Sequence, residues 1–194
     1  MGPFDTNLDK NAANYTPLSP ISFLRRAAIV HPDHPAVIHG ATQYGWAEAA
    51  IRARRLASAL SKRGVGKGDT VAVMAPNIPA LFDAHFGVPL TGGVLNALNT
   101  RLDADTIAFI LDHGEASVLI ADLEFAPVIK RALDNVERDI LVVDIVDPEF
   151  DGAANIERIG VMTYDDLLAD GDPDFPWALP DDEWDTISLN YTSG

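Results

Sequence analysis

The chain has 194 residues, of which 47% are hydrophobic and 22% are charged, a balance typical of a globular protein rather than a disordered one. It contains no cysteine, which excludes disulfide bonds, thiolate nucleophiles and Cys-ligated zinc. The formal net charge of -15 repels nucleic-acid phosphates. No apolar run reaches the roughly 20 residues of a membrane span, and the N-terminus lacks an apolar signal core. We therefore expect a soluble, cytoplasmic protein with no nucleic-acid partner and no membrane span.

Residues 1–18 predict an extended arm, and a helix follows it. Ser19 is suited to cap this helix, with Pro20 at its first position. The helix ISFLRRAAIV ends before His31-Pro32. Two short apolar runs then flank Gly40-Ala41, which predicts a β-hairpin.

The next segment, from Trp46 to Arg63, predicts a long amphipathic helix that Gly64 stops. Three of its basic residues, Arg52, Arg55 and Lys62, are expected to form a solvated face. Its apolar residues recur at steps of three and four: Trp46, Ala49, Ala50, Ala53, Leu56, Ala57 and Leu60.

Short apolar strands and helices alternate from residue 70 to residue 144. The strand candidates are TVAVMA, VLNALN, SVLIA and ILVVD. The intervening segments predict helices: one within PNIPALFDAHFGVPLTGG, one capped by Asp103 or Asp105 and running to Gly114, and one over residues 123–135. This alternation is the signature of an α/β fold with a parallel, doubly wound sheet and helices on both faces.

The regular alternation fails after this point. Residues 145–160 predict a loop excursion, and TYDDLLAD predicts a short helix capped by Thr163. Residues from about 170 to 183 combine proline with acidic groups and predict an acidic surface linker. Finally, DTISLNY predicts a strand that runs into Thr192-Ser193-Gly194.

Thr192, Ser193 and Gly194 are the best candidate functional residues. Turns rich in Thr, Ser and Gly at strand ends are where α/β folds bind phosphates, because hydroxyls and consecutive backbone N–H groups donate to phosphate oxygens. A plain turn explains the same three residues equally well. In so acidic a chain, a polyanionic ligand needs local positive potential from backbone N–H groups, a helix N-terminus, Mg²⁺ or a few basic residues.

Other polar residues carry weaker signals. No histidine stands in a metal-ligand spacing, and His85 fits a hydrogen-bonded structural role, so no metal ligand is assigned. Asn77 favours a turn at a strand end. Asn99 and Arg101 follow another strand end, where Arg101 could position a polyanion or pair with a nearby Asp, and neither is assigned to a site. The G-x-S-x-G pattern of a serine hydrolase is absent around Ser193.

The segment DTISLNYTSG resembles the start of the phosphate-binding motif of the adenylate-forming superfamily of AMP-binding enzymes, which continues T-S-G-T-T-G-x-P-K-G. Four further segments resemble that superfamily in the same order, and the likeness covers nearly the whole chain: QYGWAEAAIRARRLASAL, GVGKGDTVAVMAPNIPA, FGVPLTGGVLNALNTRL and FILDHGEASVLI. Within the superfamily the chain most resembles the acyl-CoA synthetase (acyl-CoA ligase) branch, and there the short- and medium-chain ligases, including 3-methylmercaptopropionyl-CoA ligases.

This resemblance implies an ATP-dependent acid–thiol ligase of fatty acid metabolism. A carboxylic acid would attack the α-phosphate of ATP with Mg²⁺, and CoA would then take the acyl group from the adenylate. Thr192, Ser193 and Gly194 match the first three motif positions and would contact the ATP phosphates. The family's remaining catalytic and ligand-binding residues lie beyond Gly194, so no catalytic residue and no metal ligand is assigned here.

The resemblance also implies that residues 19–194 are the N-terminal part of the family's large domain, truncated within the phosphate-binding loop. We expect these residues alone to bind ATP poorly and to catalyse no reaction. The alternatives are a self-contained, non-catalytic nucleotide-binding module and an acidic interaction domain. A homodimer is one candidate assembly. The sequence does not identify the carboxylic acid.

Overall fold

The computed structural model describes residues 2, 4, 6–152 and 156–192. None of the helices in these ranges is both long and apolar enough to span a membrane. A 3₁₀ turn, Leu123–Phe125, directly precedes the helix Ala126–Leu133. The helices and strands have these bounds: α1 (Pro20–Val30), β1 (Pro35–His39), β2 (Thr42–Gly45), α2 (Trp46–Ser61), β3 (Thr70–Met74), α3 (Pro79–Leu90), β4 (Val94–Ala97), α4 (Ala104–His113), β5 (Ala116–Asp122), α5 (Ala126–Leu133), β6 (Leu141–Ile145), β7 (Met162–Thr163) and α6 (Tyr164–Asp170).

Strands β3 to β7 form a parallel sheet in the order β4-β3-β5-β6-β7. The chain passes from β3 to β4 at one edge and then returns across β3 to β5. The order therefore reverses between β3 and β5, as it does in doubly wound sheets. The predicted α/β fold with a parallel, doubly wound sheet is confirmed.

Successive side chains of the central strands enter two separate cores, because side chains alternate between the two faces of a strand. On β3, Val71 and Val73 pack in the core that α2, α3 and α6 cover. Ala72 and Met74 pack in the core that α4 and α5 cover. Helices therefore lie on both faces of the sheet, and β3 is buried on both sides.

Helix α1 and the hairpin lie outside the layer formed by α2 and α3. The hydroxyl of Ser19 caps α1 by accepting a hydrogen bond from the Ile21 amide at 3.3 Å, and Pro20 is the first helical residue. Helix α1 then packs on α2 and α3. Strands β1 and β2 pair antiparallel around Gly40, whose φ of +53° favours glycine. Both elements match the sequence-based prediction.

The prediction that the basic residues of this segment form a solvated face is wrong for Arg52 and Arg55, which are partly buried, whereas Lys62, directly after α2, is exposed. Arg52 forms an ion pair with the buried carboxylate of Asp83. Arg55 donates a hydrogen bond to the carbonyl of Gly171 at 3.1 Å, and Lys62, although half-exposed, donates to the carbonyl of Asp170. These partners lie far along the chain, on α3, at the end of α6 and directly after α6, so the local pattern of α2 could not reveal them.

The predicted caps of the later helices are present. The Asp103 carboxylate, rather than that of Asp105, accepts the amide hydrogen bond of Thr106 at 2.8 Å and begins α4. Thr163 begins α6 with a capping box, in which its side chain and that of Asp166 each accept from the other residue's backbone amide.

The final predicted strand is reduced to a single bridge beside β4. Ser188 is aligned parallel with Leu95. The Leu95 amide donates to the carbonyl of Ile187 at 3.0 Å, and the Leu189 amide donates to the carbonyl of Leu95 at 2.9 Å. The chain after Leu189 therefore leaves at the carboxyl end of β4.

The segment predicted as an acidic surface linker contacts the core through its apolar residues. Phe175, Trp177 and Leu179 are half-buried against Ile21 of α1 and Ala57 of α2. The acidic residues that flank them are exposed: Asp172, Asp174, Asp181, Asp182 and Glu183. The predicted division of the chain into an arm and part of a larger domain stays a prediction.

Candidate functional site

Thr192, the described member of the predicted phosphate-binding turn, lies at the carboxyl edge of the sheet. It follows the bridge between Ser188 and Leu95 of β4, and its side chain is exposed. Ser193 and Gly194 lie outside the described residues. Loops at the carboxyl ends of parallel strands are the usual ligand sites of this fold class. Phosphate binding by Thr192, Ser193 and Gly194 stays a prediction.

A cavity of about 320 Å³ opens beside Thr192 at the carboxyl end of β4. Asn99, which lines this cavity, accepts a hydrogen bond from the Arg101 amide at 2.9 Å and so stabilises its own turn. Among the described residues, the Arg101 guanidinium forms no ion pair. The predicted alternative, in which Arg101 pairs with a nearby aspartate, is therefore not observed among them. Asn77, at the end of β3, is exposed.

Three aromatic rings form a cluster at the rim of this cavity. The hydroxyl oxygen of Tyr191 lies 2.7 Å from Nδ1 of His113. Phe109 stacks on the His113 ring with centroids 5.1 Å apart, and meets the Tyr191 ring edge-on at 6.4 Å. Sequence reasoning missed this cluster. The available signal was the spacing of Phe109 and His113, which places both on one face of α4.

Asn96 contributes a buried amide to the same cavity. It lies in β4 with no exposed surface. Within the described residues, neither its Nδ2 nor its Oδ1 has a hydrogen-bond partner. A buried amide without partners is costly. The signal in the sequence was a polar residue inside the apolar run VLNALN, but no role was predicted for Asn96 from it.

A second polar cluster lies where the strand order reverses. The Asp122 carboxylate, at the end of β5, accepts from the Glu124 amide at 2.8 Å through one oxygen, and within the described residues its other oxygen has no partner. Burial raises the pKa of Asp122 above its ordinary value, and the negative charge of Asp147 adds to this. His39 lies 2.8 Å from Asp147. No group of three or more His, Asp or Glu side chains in the described ranges is arranged to hold a metal ion.

A buried ion pair on the other face of the sheet ties four elements together. Asp83 of α3 accepts from Arg52 Nε at 2.9 Å, from the Tyr164 hydroxyl at 3.0 Å and from the Tyr44 hydroxyl at 3.3 Å. Burial raises the pKa of Asp83 to about 6, while Arg52 and the two hydroxyls oppose this rise. The carboxylate is thus ionised at neutral pH, and its role is to join α2, α3, α6 and the hairpin. His85, also on α3, contacts the carbonyl of Leu81 through Nδ1 at 2.7 Å, in keeping with its predicted structural role.

The fold and the Thr192 turn were compared with known proteins. A family model described as "AMP-binding enzyme" matches residues 24–194. The chain belongs to the AMP-binding enzyme family. The predicted resemblance to adenylate-forming enzymes is therefore confirmed.

Relatives of this AMP-binding enzyme chain include named CoA ligases. It is 46% identical over 199 residues to a peroxisomal acetate/butyrate–CoA ligase of Arabidopsis thaliana, with 97% of this chain and 35% of the relative covered. It is also 46% identical over 198 residues to an acetate–CoA ligase of Humulus lupulus, with the same two shares covered. The predicted acyl-CoA ligase branch is confirmed by these relatives. The chain spans 35% of their length.

Solved structures of AMP-binding enzymes share the fold. An anthranilate CoA ligase in complex with anthranoyl-AMP superimposes with a TM-score of 0.82 at 22% identity, covering 95% of this chain and 34% of that one. A fatty acyl CoA synthetase of Mycobacterium tuberculosis superimposes with a TM-score of 0.72 at 26% identity, covering 89% of this chain and 32% of that one. The sheet described above is thus the N-terminal part of the family's fold.

Proposed function

We propose that the full-length protein is an ATP-dependent acyl-CoA ligase. Membership of the AMP-binding enzyme family, with CoA ligases 46% identical, is the observation that carries this proposal. In the first step a carboxylate oxygen attacks the α-phosphorus of ATP, and pyrophosphate leaves. In the second step the CoA sulfur attacks the acyl carbon, AMP leaves, and the thiol proton is released.

Thr192, Ser193 and Gly194 would bind the ATP phosphates in this reaction. The position of Thr192 supports this role, because it is exposed at the carboxyl edge of the sheet, beside an open cavity. Its hydroxyl would donate a hydrogen bond to a phosphate oxygen, and small neighbours would let backbone N–H groups approach. Such donors lower the barrier by stabilising charge that develops on the transferring phosphoryl group. We assign no catalytic residue to these 194 residues.

ATP would enter as its Mg²⁺ complex. The chain carries a formal net charge of -15, so a tetra-anionic nucleotide would meet unfavourable electrostatic potential unless its charge is partly neutralised. The described residues offer no group of three or more metal-ligating side chains. We therefore treat Mg²⁺ as part of the substrate and assign none of these residues to it.

The acid is proposed to be a small aliphatic carboxylic acid. Support comes from the relatives' names, which specify acetate, butyrate and, for a 37% identical ligase of Humulus lupulus, 2-methylpropanoate. These acids, together with 3-methylmercaptopropionate, form the first panel to test. Activity on such acids would place the enzyme in short-chain fatty acid metabolism.

The test is ATP–pyrophosphate exchange and CoA thioester formation by the purified full-length protein with this panel. Thr192→Val should lower kcat/KM for ATP about 10- to 100-fold, as loss of one hydrogen bond to a charged group does, while Thr192→Ser should keep most activity. Thr16→Val is the matched control, because Thr16 is an exposed threonine near the N-terminus. This variant should have the same kcat/KM for ATP as the wild type.

Two results would contradict the proposal. Absence of acid-dependent exchange with every acid would reject the ligase activity, and ATP binding without turnover would instead favour the non-catalytic nucleotide-binding module. Full activity of Thr192→Val would reject the role of its hydroxyl while leaving the ligase activity intact.

We further propose a cytoplasmic location and a homodimeric assembly. The Arabidopsis thaliana relative is named peroxisomal, and a peroxisomal location is the alternative. Cell fractionation of the tagged full-length protein tests the location. Sedimentation equilibrium tests the assembly, and a single species of monomer mass would reject the dimer.

A further inference from the structure

The chain that leads to Thr192 is held weakly by its own backbone. Its last backbone hydrogen bond among the described residues runs from the Leu189 amide to the carbonyl of Leu95, at 2.9 Å. Within residues 156–192, Asn190 bonds only to the nearby Ser188 hydroxyl, at 3.1 Å. Between Leu189 and Thr192, the contact that reaches a distant element is therefore made by the Tyr191 side chain.

That contact is made to the end of α4. The Tyr191 hydroxyl lies 2.7 Å from His113 Nδ1, and the two rings meet edge-on with centroids 5.8 Å apart. Phe109 contacts both rings: it stacks on His113 at 5.1 Å and lies edge-on to Tyr191 at 6.4 Å. Burial raises the pKa of the Tyr191 phenol above its ordinary value, so the phenol stays protonated and donates to the imidazole nitrogen when that nitrogen carries no proton.

The end of α4 is a rigid support for this contact. The helix is capped by Asp103, and Ile107 and Leu111 have no exposed surface. Its C-cap, Gly114, also fits closely against the final segment, since a Cβ there would lie 3.2 Å from Cδ2 of Leu189. Groups on packed helices hold their geometry better than groups on loops.

We propose that His113 and Phe109 are positioning residues, which hold Tyr191 and thereby aim the Thr192 turn at the ATP phosphates. This inference rests on the proposed ligase function. Neither residue would touch the reacting atoms. A turn that is free to move must be ordered when ATP binds, and the clamp formed by Phe109, His113 and Tyr191 reduces that cost.

The kinetic test uses the full-length protein and compares the adenylation step with the thioester step. His113→Ala and Tyr191→Phe should each raise KM for ATP about tenfold in ATP–pyrophosphate exchange, roughly the value of one well-placed hydrogen bond. KM for the carboxylic acid, and the rate of thioester formation from preformed acyl adenylate, should stay unchanged. The double variant should be no worse than either single one, because both remove the same contact.

A conservative variant and a control variant distinguish a loss of positioning from a general loss of activity or stability. His113→Asn places an amide near the position of Nδ1 and should recover most of the ATP affinity. His85→Ala removes another exposed helical histidine, one that contacts its own helix on α3, and should match the wild type. An additive double variant, or equal losses in both half-reactions, would overturn the proposal.

A second measurement does not depend on activity. Hydrogen exchange, followed by mass spectrometry without ATP, should become faster in residues 188–192 of His113→Ala but not in β3 or β5. Unchanged exchange in residues 188–192, or faster exchange throughout the sheet, would overturn the clamp. If the wild type shows no pyrophosphate exchange, the proposed function fails, and hydrogen exchange still decides whether His113 holds this segment.

Discussion

The guanidinium of Arg52 lies 2.8 Å from the carboxylate of Asp83, whose side chain has no exposed surface. The two residues belong to α2 and α3, and the hydroxyls of Tyr44 and Tyr164 donate to the same carboxylate. One buried charge thus joins both helices to the hairpin and to α6. Removing one partner of such a pair leaves the other charge buried and uncompensated.

Arg52→Gln should therefore lower the free energy of unfolding at neutral pH by about 3–5 kcal/mol, because it leaves the Asp83 carboxylate buried without its cation. Urea unfolding followed by circular dichroism measures the change. Asp170→Asn is the control, because Asp170 pairs with Arg63 at the surface and is half-exposed. Loss of this surface ion pair should lower the free energy of unfolding by less than about 1 kcal/mol. Equal costs for the two variants would show that burial does not strengthen the Asp83 interactions.

The pKa of Asp83 also predicts a pH dependence. Burial raises this pKa from 3.8 to about 6 in the folded protein, so the folded state binds the Asp83 proton more tightly than the unfolded chain does. The contribution of Asp83 to stability is therefore greatest at low pH and falls as the pH rises from 3.8 through 6. The difference in unfolding free energy between wild type and Asp83→Asn should fall by up to about 3 kcal/mol over this range. A difference that grows with pH would mean that the folded-state pKa of Asp83 lies below its ordinary value, because the Arg52 ion pair outweighs the effect of burial.

Helices α2 and α3 approach closely at Gly87. A Cβ added there would lie 2.7 Å from Cδ2 and 2.9 Å from Cβ of the buried Leu56. Gly87→Ala should therefore destabilise the protein by about 1–3 kcal/mol, although alanine favours helices. Leu56→Ala alone should cost about 2–5 kcal/mol. The double variant should cost at least about 1 kcal/mol less than the sum, and additive costs in chemical unfolding would contradict this packing.

The unpartnered amide of Asn96 predicts a substitution that stabilises the protein. Asn96→Leu removes a buried polar group that has no partner among the described residues, and should raise the free energy of unfolding by about 1–2 kcal/mol. Asn99→Leu is the control. It removes an exposed side chain that bonds the Arg101 amide and should destabilise slightly. Thermal unfolding measures both, and a destabilised Asn96→Leu would indicate that a polar group or a water bonds the amide.

The capping box of α6 predicts that one substitution changes both the pKa of Asp166 and the stability of the protein. The Thr163 side chain lowers the pKa of Asp166 by hydrogen bonding to its carboxylate, with the Thr163 amide adding to the effect. Thr163→Ala should raise this pKa towards its ordinary value and lower the stability of the protein by about 1 kcal/mol. Thr163→Ser should preserve both properties. Carboxyl NMR titration and thermal unfolding are the measurements, and an unchanged pKa of Asp166 in Thr163→Ala would contradict the capping box.

Sequence reasoning succeeded where the partners of a residue lie within one turn of it. Ser19, Asp103 and Thr163 each cap the helix that they immediately precede. It failed at Arg52, whose partner Asp83 lies on another helix. A hydrophobic stripe identifies the face of a helix that meets the core, but it does not reveal what covers the opposite face.

In the candidate site, too, the sequence indicates features that depend on neighbouring residues and misses contacts between distant residues. The Thr192 turn could be proposed from the residues, because small and hydroxylated side chains after a strand are typical of phosphate sites, and its role stays a prediction. The His113–Tyr191 contact was not evident, because 78 residues separate the two positions. Their meeting depends on the bridge between Ser188 and Leu95, which local propensity does not encode.

The sequence by itself determined the alternation of strands and helices, the helix caps, the doubly wound class and the family motif at the end of the chain. All of these depend on spacing and on hydrogen bonds between near neighbours. Only the tertiary structure decided which polar residues are buried, which of them lack partners in the part of the chain that the structure describes, and that Tyr191 meets His113. These outcomes depend on contacts between segments distant in sequence, and such contacts form only when the whole sheet has assembled.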